Sequence, residues 1–74
     1  MLTPRLCRTA RTLVDISQAD LATKAGVNPR TLMDFEREAR SPVPSTLKAI
    51  RLALEELGVE FLEGDAPGIR LRKR

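Results

Sequence analysis

The chain has 74 residues, 42% of them apolar, with 13 Lys/Arg against 10 Asp/Glu and a formal charge of +3. That length holds one small domain with a marginal core, and the composition argues for a packed fold over a disordered tail. With no His, Trp or Tyr and one Cys, the sequence supplies no His general base, no zinc site and no internal disulfide, and it carries no Gly-rich phosphate loop. Enzymatic catalysis is not expected, nor is any metal or cofactor.

The charge is distributed in blocks. Residues 1–51 hold nine basic against five acidic side chains. Glu55, Glu56, Glu60, Glu63 and Asp65 follow with no basic residue between 52 and 69, and Arg70, Arg72, Lys73 and Arg74 close the chain. A basic body with a pI near 9.8 suits a phosphate-rich partner, although charge alone is weak support. Arg5, Arg8 and Arg11 are scattered through the first residues, and no stretch approaches the roughly 20 apolar residues of a membrane span. These features, with the single Cys, predict a cytoplasmic protein.

In chain order, Thr3 predicts the N-cap of a first helix and Pro4 its first position, where a missing N–H costs nothing. Leu6, Ala10, Leu13 and Val14 define its buried face, and Cys7 reads as a small hydrophobe beside it. Ser17 predicts the cap of a second helix, with Asp20 at the capping-box position and Ile16 stapled to Leu21. That helix runs to Ala25 and stops at Gly26, which tolerates the left-handed conformation. Asn28 and Pro29 then open a third helix, with Val27 and Leu32 as its staple. Residues 39–45, containing Pro42 and Pro44, predict a loop, and Ser45 the cap of a fourth helix. Leu47, Ile50, Leu54 and Leu57 give its stripe, widened by Ala49 and Ala53, and Gly58 ends it with Val59 against Leu54. The period then changes. Residues 59–61 and 69–72 alternate as short strands around a turn at residues 64–68.

The stretch from residue 17 to residue 37 meets the demands of a tight helix-turn-helix. Ala22 is small where two helices cross, Gly26 accepts the turn, and Leu21, Ala25, Val27, Leu32 and Phe35 are apolar where the unit's core lies. An ordinary helical hairpin does not require seven such positions together. Because Leu32 and Phe35 must face inward, Asn28, Arg30, Thr31 and Asp34 must face outward.

With these residues in place, the sequence resembles the Cro/C1 phage-repressor type of helix-turn-helix, the XRE family of bacterial regulators, over residues 4–58. The likeness includes Asp34-Phe35-Glu36-Arg37, the proline loop, and Thr46-Leu47-Lys48-Ala49-Ile50. The ending, with Gly58-Val59-Glu60-Phe61 and Pro67-Gly68-Ile69-Arg70-Leu71, is similar to the tail of small single-domain members. One departure is Glu38, where the family often has Gly. A non-Gly residue is unfavourable in the left-handed conformation, so the third helix is expected to run on by a residue or two.

The resemblance implies a mostly α fold: a four-helix Cro/C1 repressor-like DNA-binding domain over residues 1–58, then a two-stranded β-extension and basic tail over residues 59–74. It also implies roles. Asn28, Pro29, Arg30, Thr31 and Asp34 match the face presented to base edges. Arg30 is the foremost reader because its guanidinium fits the guanine O6/N7 pair, while Asp34 either accepts from a cytosine amino group or orients Arg30. Gln18 matches a phosphate contact at a helix N-terminus, and Arg40 and Ser41 are expected at the DNA backbone. Arg11 and Glu36 match a structural pair tying the first helix to the end of the third.

The expected function is sequence-specific binding of double-stranded DNA and repressor-like regulation as a homodimer. Val59, Phe61, Ile69 and Leu71 are expected at the dimer interface, because two isolated strands need cover. Whether the strands pair within one chain or between two is open at this stage. No length remains in these 74 residues for a ligand-sensing domain, so control is expected from protein concentration or a separate partner. The alternative is a protein-interaction module, an antitoxin or anti-activator using the same fold to hold another regulatory protein, which the acidic stretch beside the arms makes reasonable.

Overall fold

A computed structural model describes residues 2–62 and 68–71. Each of the first three helices starts where cap chemistry dictates. Helix α1 (Pro4–Val14) is capped by Thr3, whose hydroxyl accepts from the Leu6 N–H at 3.1 Å. Helix α2 (Gln18–Ala25) is capped by Ser17, which accepts from the Asp20 N–H at 3.0 Å. Helix α3 (Pro29–Glu36) is capped by Asn28, which accepts from the Arg30 N–H at 2.8 Å. These bonds satisfy amides that the first turn of a helix leaves without partners.

The fourth helix departs from expectation. Helix α4 (Pro44–Glu56) begins one residue earlier, with Val43 at the cap and no side-chain cap bond. Proline's fixed φ makes Pro44 a natural first residue, so Ser45 lies inside the first turn instead of capping it.

Helix ends follow one scheme. After α2, the Gly26 N–H reaches Thr23 O at 3.2 Å and the Val27 N–H reaches Ala22 O at 3.0 Å, with Gly26 at φ 72. After α3 the same pattern recurs with Glu38 in glycine's place. Its N–H reaches Phe35 O at 3.0 Å, the Ala39 N–H reaches Asp34 O at 2.8 Å, and Glu38 sits at φ 62. The expected run-on of α3 therefore does not occur. Two bonds to the helix's last carbonyls hold Glu38 in a conformation its Cβ disfavours.

Strands β1 (Val59–Leu62) and β2 (Gly68–Leu71) pair antiparallel within the chain, with Val59 opposite Leu71 and Phe61 opposite Ile69. Gly68, expected in the turn, is the first residue of β2; the rest of that turn, Arg72 and the basic tail lie outside the described residues.

Leu21, Leu32, Ile50, Leu54, Val59, Cys7, Ala10 and Ala22 are buried completely or nearly so, with Phe35, Ala53 and Leu2 alongside. Leu13, expected in the core, is 39% exposed. The inward face of α1 runs through Cys7, Ala10 and Val14, which turns Leu13 to the outside. Val59, expected at a dimer interface, is fully buried in its own chain. The core of the helices takes up the apolar face that the alternation had revealed, with Phe61 and Ile69 packed against the same core.

Candidate nucleic-acid interface

Helices α2 and α3 lie on either side of the turn at Gly26 and Val27. Helix α3 turns Leu32, Phe35 and Glu36 inward. Asn28, Pro29, Arg30 and Met33 are exposed, and Thr31 and Asp34 are half-buried at its flank. Asn28 spends its carbonyl on the cap bond, which leaves its amide N–H groups facing out.

Arg30 and Asp34 are neighbours one turn apart. The Arg30 Nε donates to Oδ1 and Oδ2 of Asp34 at 3.2 and 3.4 Å, and Arg37 Nη2 reaches the same carboxylate at 3.2 Å. Of the two roles open to Asp34, this geometry fits the orienting one, since its oxygens already face two guanidinium groups. Arg30 keeps 68% of its side chain exposed, with its terminal nitrogens free of the Asp34 bonds.

Glu36 lies behind this face and is only 2% exposed. Arg11 clasps it in a fork, Nε to Oε2 at 2.7 Å and Nη2 to Oε1 at 2.8 Å, while Arg11 Nη1 also reaches Ile16 O at 3.1 Å. Gln18 Nε2 donates to Oε1 at 2.8 Å, and the Cys7 thiol donates to Oε2 at 3.1 Å. Arg8 adds a bond to the Glu36 main-chain carbonyl. One carboxylate thus fastens α1 and the start of α2 to the end of α3. Burial pushes the Glu36 carboxyl up, but the bonds from Arg11, Gln18 and Cys7 together outweigh it and hold the group below the usual carboxylate range. The hydrogen bond to Glu36 raises the Arg11 guanidinium further, against the opposing effect of burial. Burial and the adjacent carboxylate push the Cys7 thiol far above its ordinary value, so it stays protonated as a donor.

Gln18, expected at a phosphate, is therefore engaged with Glu36 through one N–H and half-buried. In the first turn of α2 the Asp20 N–H is taken by the Ser17 hydroxyl and the Leu21 N–H by the Ser17 carbonyl. Arg40 and Ser41 are exposed in the loop after α3.

Two residues that the sequence reading passed over join the site. Met33, 39% exposed, and Arg37 line a depression of about 350 Å³ with Arg8, Arg11, Gln18 and Glu36. The signal was available, because Met33 and Arg37 follow Arg30 by three and seven residues on one helix face.

Among the described residues no group of acidic, Cys or His side chains could hold a metal ion, and no helix is long and apolar enough to cross a membrane. No curated relative matches the chain. The helix-turn-helix family model matches residues 8–62, from within α1 to the end of β1, and the chain belongs to this Cro/C1-type, or XRE, helix-turn-helix family.

Proposed function

We propose that this protein binds duplex DNA sequence-specifically and regulates transcription as a repressor-like homodimer. Helix α3 enters the major groove, and Arg30 reads a guanine through its O6 and N7 acceptors. The observation that carries the reading is the Arg30–Asp34 pair on the exposed face of α3. A guanidinium already steered by a carboxylate loses less freedom when it meets a base edge. Asn28, Pro29 and Thr31 flank Arg30 at the base edges. Gln18, Arg40 and Ser41 fix the register through phosphates, which carry no sequence information themselves.

Selecting bound sequences from random duplex DNA tests this reading, and a two-fold symmetric site is the expected product. Within that site, Arg30→Ala is expected to cost about 1–3 kcal/mol and to relax one position in each half. Gln18→Ala is expected to weaken all sequences alike. Equal losses on selected and random DNA for Arg30→Ala would remove its role as a base reader.

A further inference from the structure

Helix α4 is apolar on two sides. One side buries Ile50, Ala53 and Leu54 in the core. The other turns Leu52 to the surface, where it lines a groove of about 460 Å³ with Leu47, itself partly buried against the core, and the buried Leu2. Leu52 is 47% exposed there, and Val43 at the head of the helix is 61% exposed. Single exposed apolar residues are ordinary, but a groove lined by three leucines calls for an occupant.

The charges on its rim indicate which one. Lys48 and Glu55 stand seven residues apart on the same face, about 10.5 Å along the axis, with Leu52 between them. A plus-to-minus pattern of this kind is its own complement when reversed. If a second α4 lies antiparallel across a two-fold axis near Leu52, each Lys48 faces a Glu55. No ion pair or hydrogen bond is recorded for the Lys48 ammonium among the described residues. Glu55 is held in place by Arg51 at 3.2 Å, and Arg51 in turn lies over the Phe61 ring at 5.1 Å. The groove also continues, through Leu2 and Leu47, into a depression lined by Arg40 and Ser41, so it abuts the loop expected at the DNA backbone.

We propose that the α4 groove is the surface through which two copies of this chain pair, α4 antiparallel to α4. Leu52 packs across the axis, and Lys48 meets Glu55 of the partner subunit. This proposal gives the homodimer of the preceding section its interface, in place of the β-strands that the alternation pattern favoured. Those strands already pair with each other, and Val59 is spent on the core.

Sedimentation equilibrium of the full chain without DNA, over a concentration series, tests it, with circular dichroism to verify helix content in each variant. The native protein is expected to form a dimer, and Leu52→Arg a folded monomer. Lys48→Glu and Glu55→Lys each reverse two symmetry-related pairs, so each is expected to weaken the dimer by about tenfold. The double variant K48E/E55K is expected to regain native affinity to within a few-fold. A native monomer at all concentrations would overturn the proposal. So would a dimer that survives Leu52→Arg but is lost with Leu71→Arg, or a double variant no better than the singles. Because DNA is absent, a monomer that still selects a symmetric site would remove the groove interface and leave the DNA reading intact.

Discussion

Replacing Arg11 with Met keeps most of the side chain's length and removes its charge. Two bonds to Glu36, at 2.7 and 2.8 Å, disappear along with the one to Ile16 O. Glu36 is then left 2% exposed with only Gln18 and the Cys7 thiol on its oxygens. Removing one partner of a buried ion pair costs about 3–5 kcal/mol, because the remaining charge is uncompensated. Arg11 is itself 21% exposed, which admits some water and places the expectation near the lower end, about 3 kcal/mol. A chain of this size holds only about 4–11 kcal/mol in total, so the variant is expected to keep about 1–8 kcal/mol and to unfold at a lower midpoint than the native protein. Urea titration followed by circular dichroism at native pH gives the loss directly. Adding Glu36→Gln to the Arg11 variant removes the stranded charge and is expected to recover part of it. A loss below about 1 kcal/mol for Arg11→Met would mean that the carboxylate is not held as described.

The same network fixes the acid limb of stability. Glu36 titrates lower in the folded than in the unfolded chain, so its contribution is complete above its unfolded pKa, about 4.3, and is lost as pH falls through the lower folded value. Denaturant titrations in steps below pH 5 are expected to show a falling midpoint that Glu36→Gln flattens. Glu38→Gly is expected to stabilise the fold by about 0.5–1 kcal/mol, since glycine removes the left-handed strain and costs some chain entropy in return. A lower melting midpoint for that variant would refute it. Cys7, fully buried and protonated, is expected to resist alkylation in native buffer and to react at once in urea, as mass spectrometry would read. If DNA is the partner, log K is expected to fall with log salt at a slope near −0.9 per phosphate contacted, and a flat dependence would exclude it.

How far the sequence could be read depended on the kind of signal. Thr3, Ser17 and Asn28 announced their helices because a cap is a local bond between a side chain and an amide three or fewer residues away. Ser45 misled because two start signals, a proline and a serine, stood side by side, and the proline took the first position. The alternation at Val59 and Phe61 marked an apolar face but not its cover, since period two says nothing about which surface lies opposite. Glu36 was legible only through family likeness. Its bonds reach back 18, 25 and 29 residues, to Gln18, Arg11 and Cys7, and no spacing rule spans such distances. Glu38 was misjudged because propensity was weighed without the two backbone bonds that override it.

The division of labour along α3 makes that helix a replaceable cartridge. Leu32, Phe35 and Glu36 lock it into the body from one side, while Arg30 and Met33 face outward and Thr31 and Asp34 lie half-buried at the flank. If Arg30 reads a base as proposed, exchanging the outward side chains for helix-compatible substitutes is expected to change the sequence preferred while the inward side chains keep the helix in place. The boundary of the cartridge falls after Asn28 and Pro29. Asn28 also caps the helix, and losing that bond costs about 1 kcal/mol. A repertoire of related proteins with new targets is therefore within reach through changes confined to one and a half turns of chain.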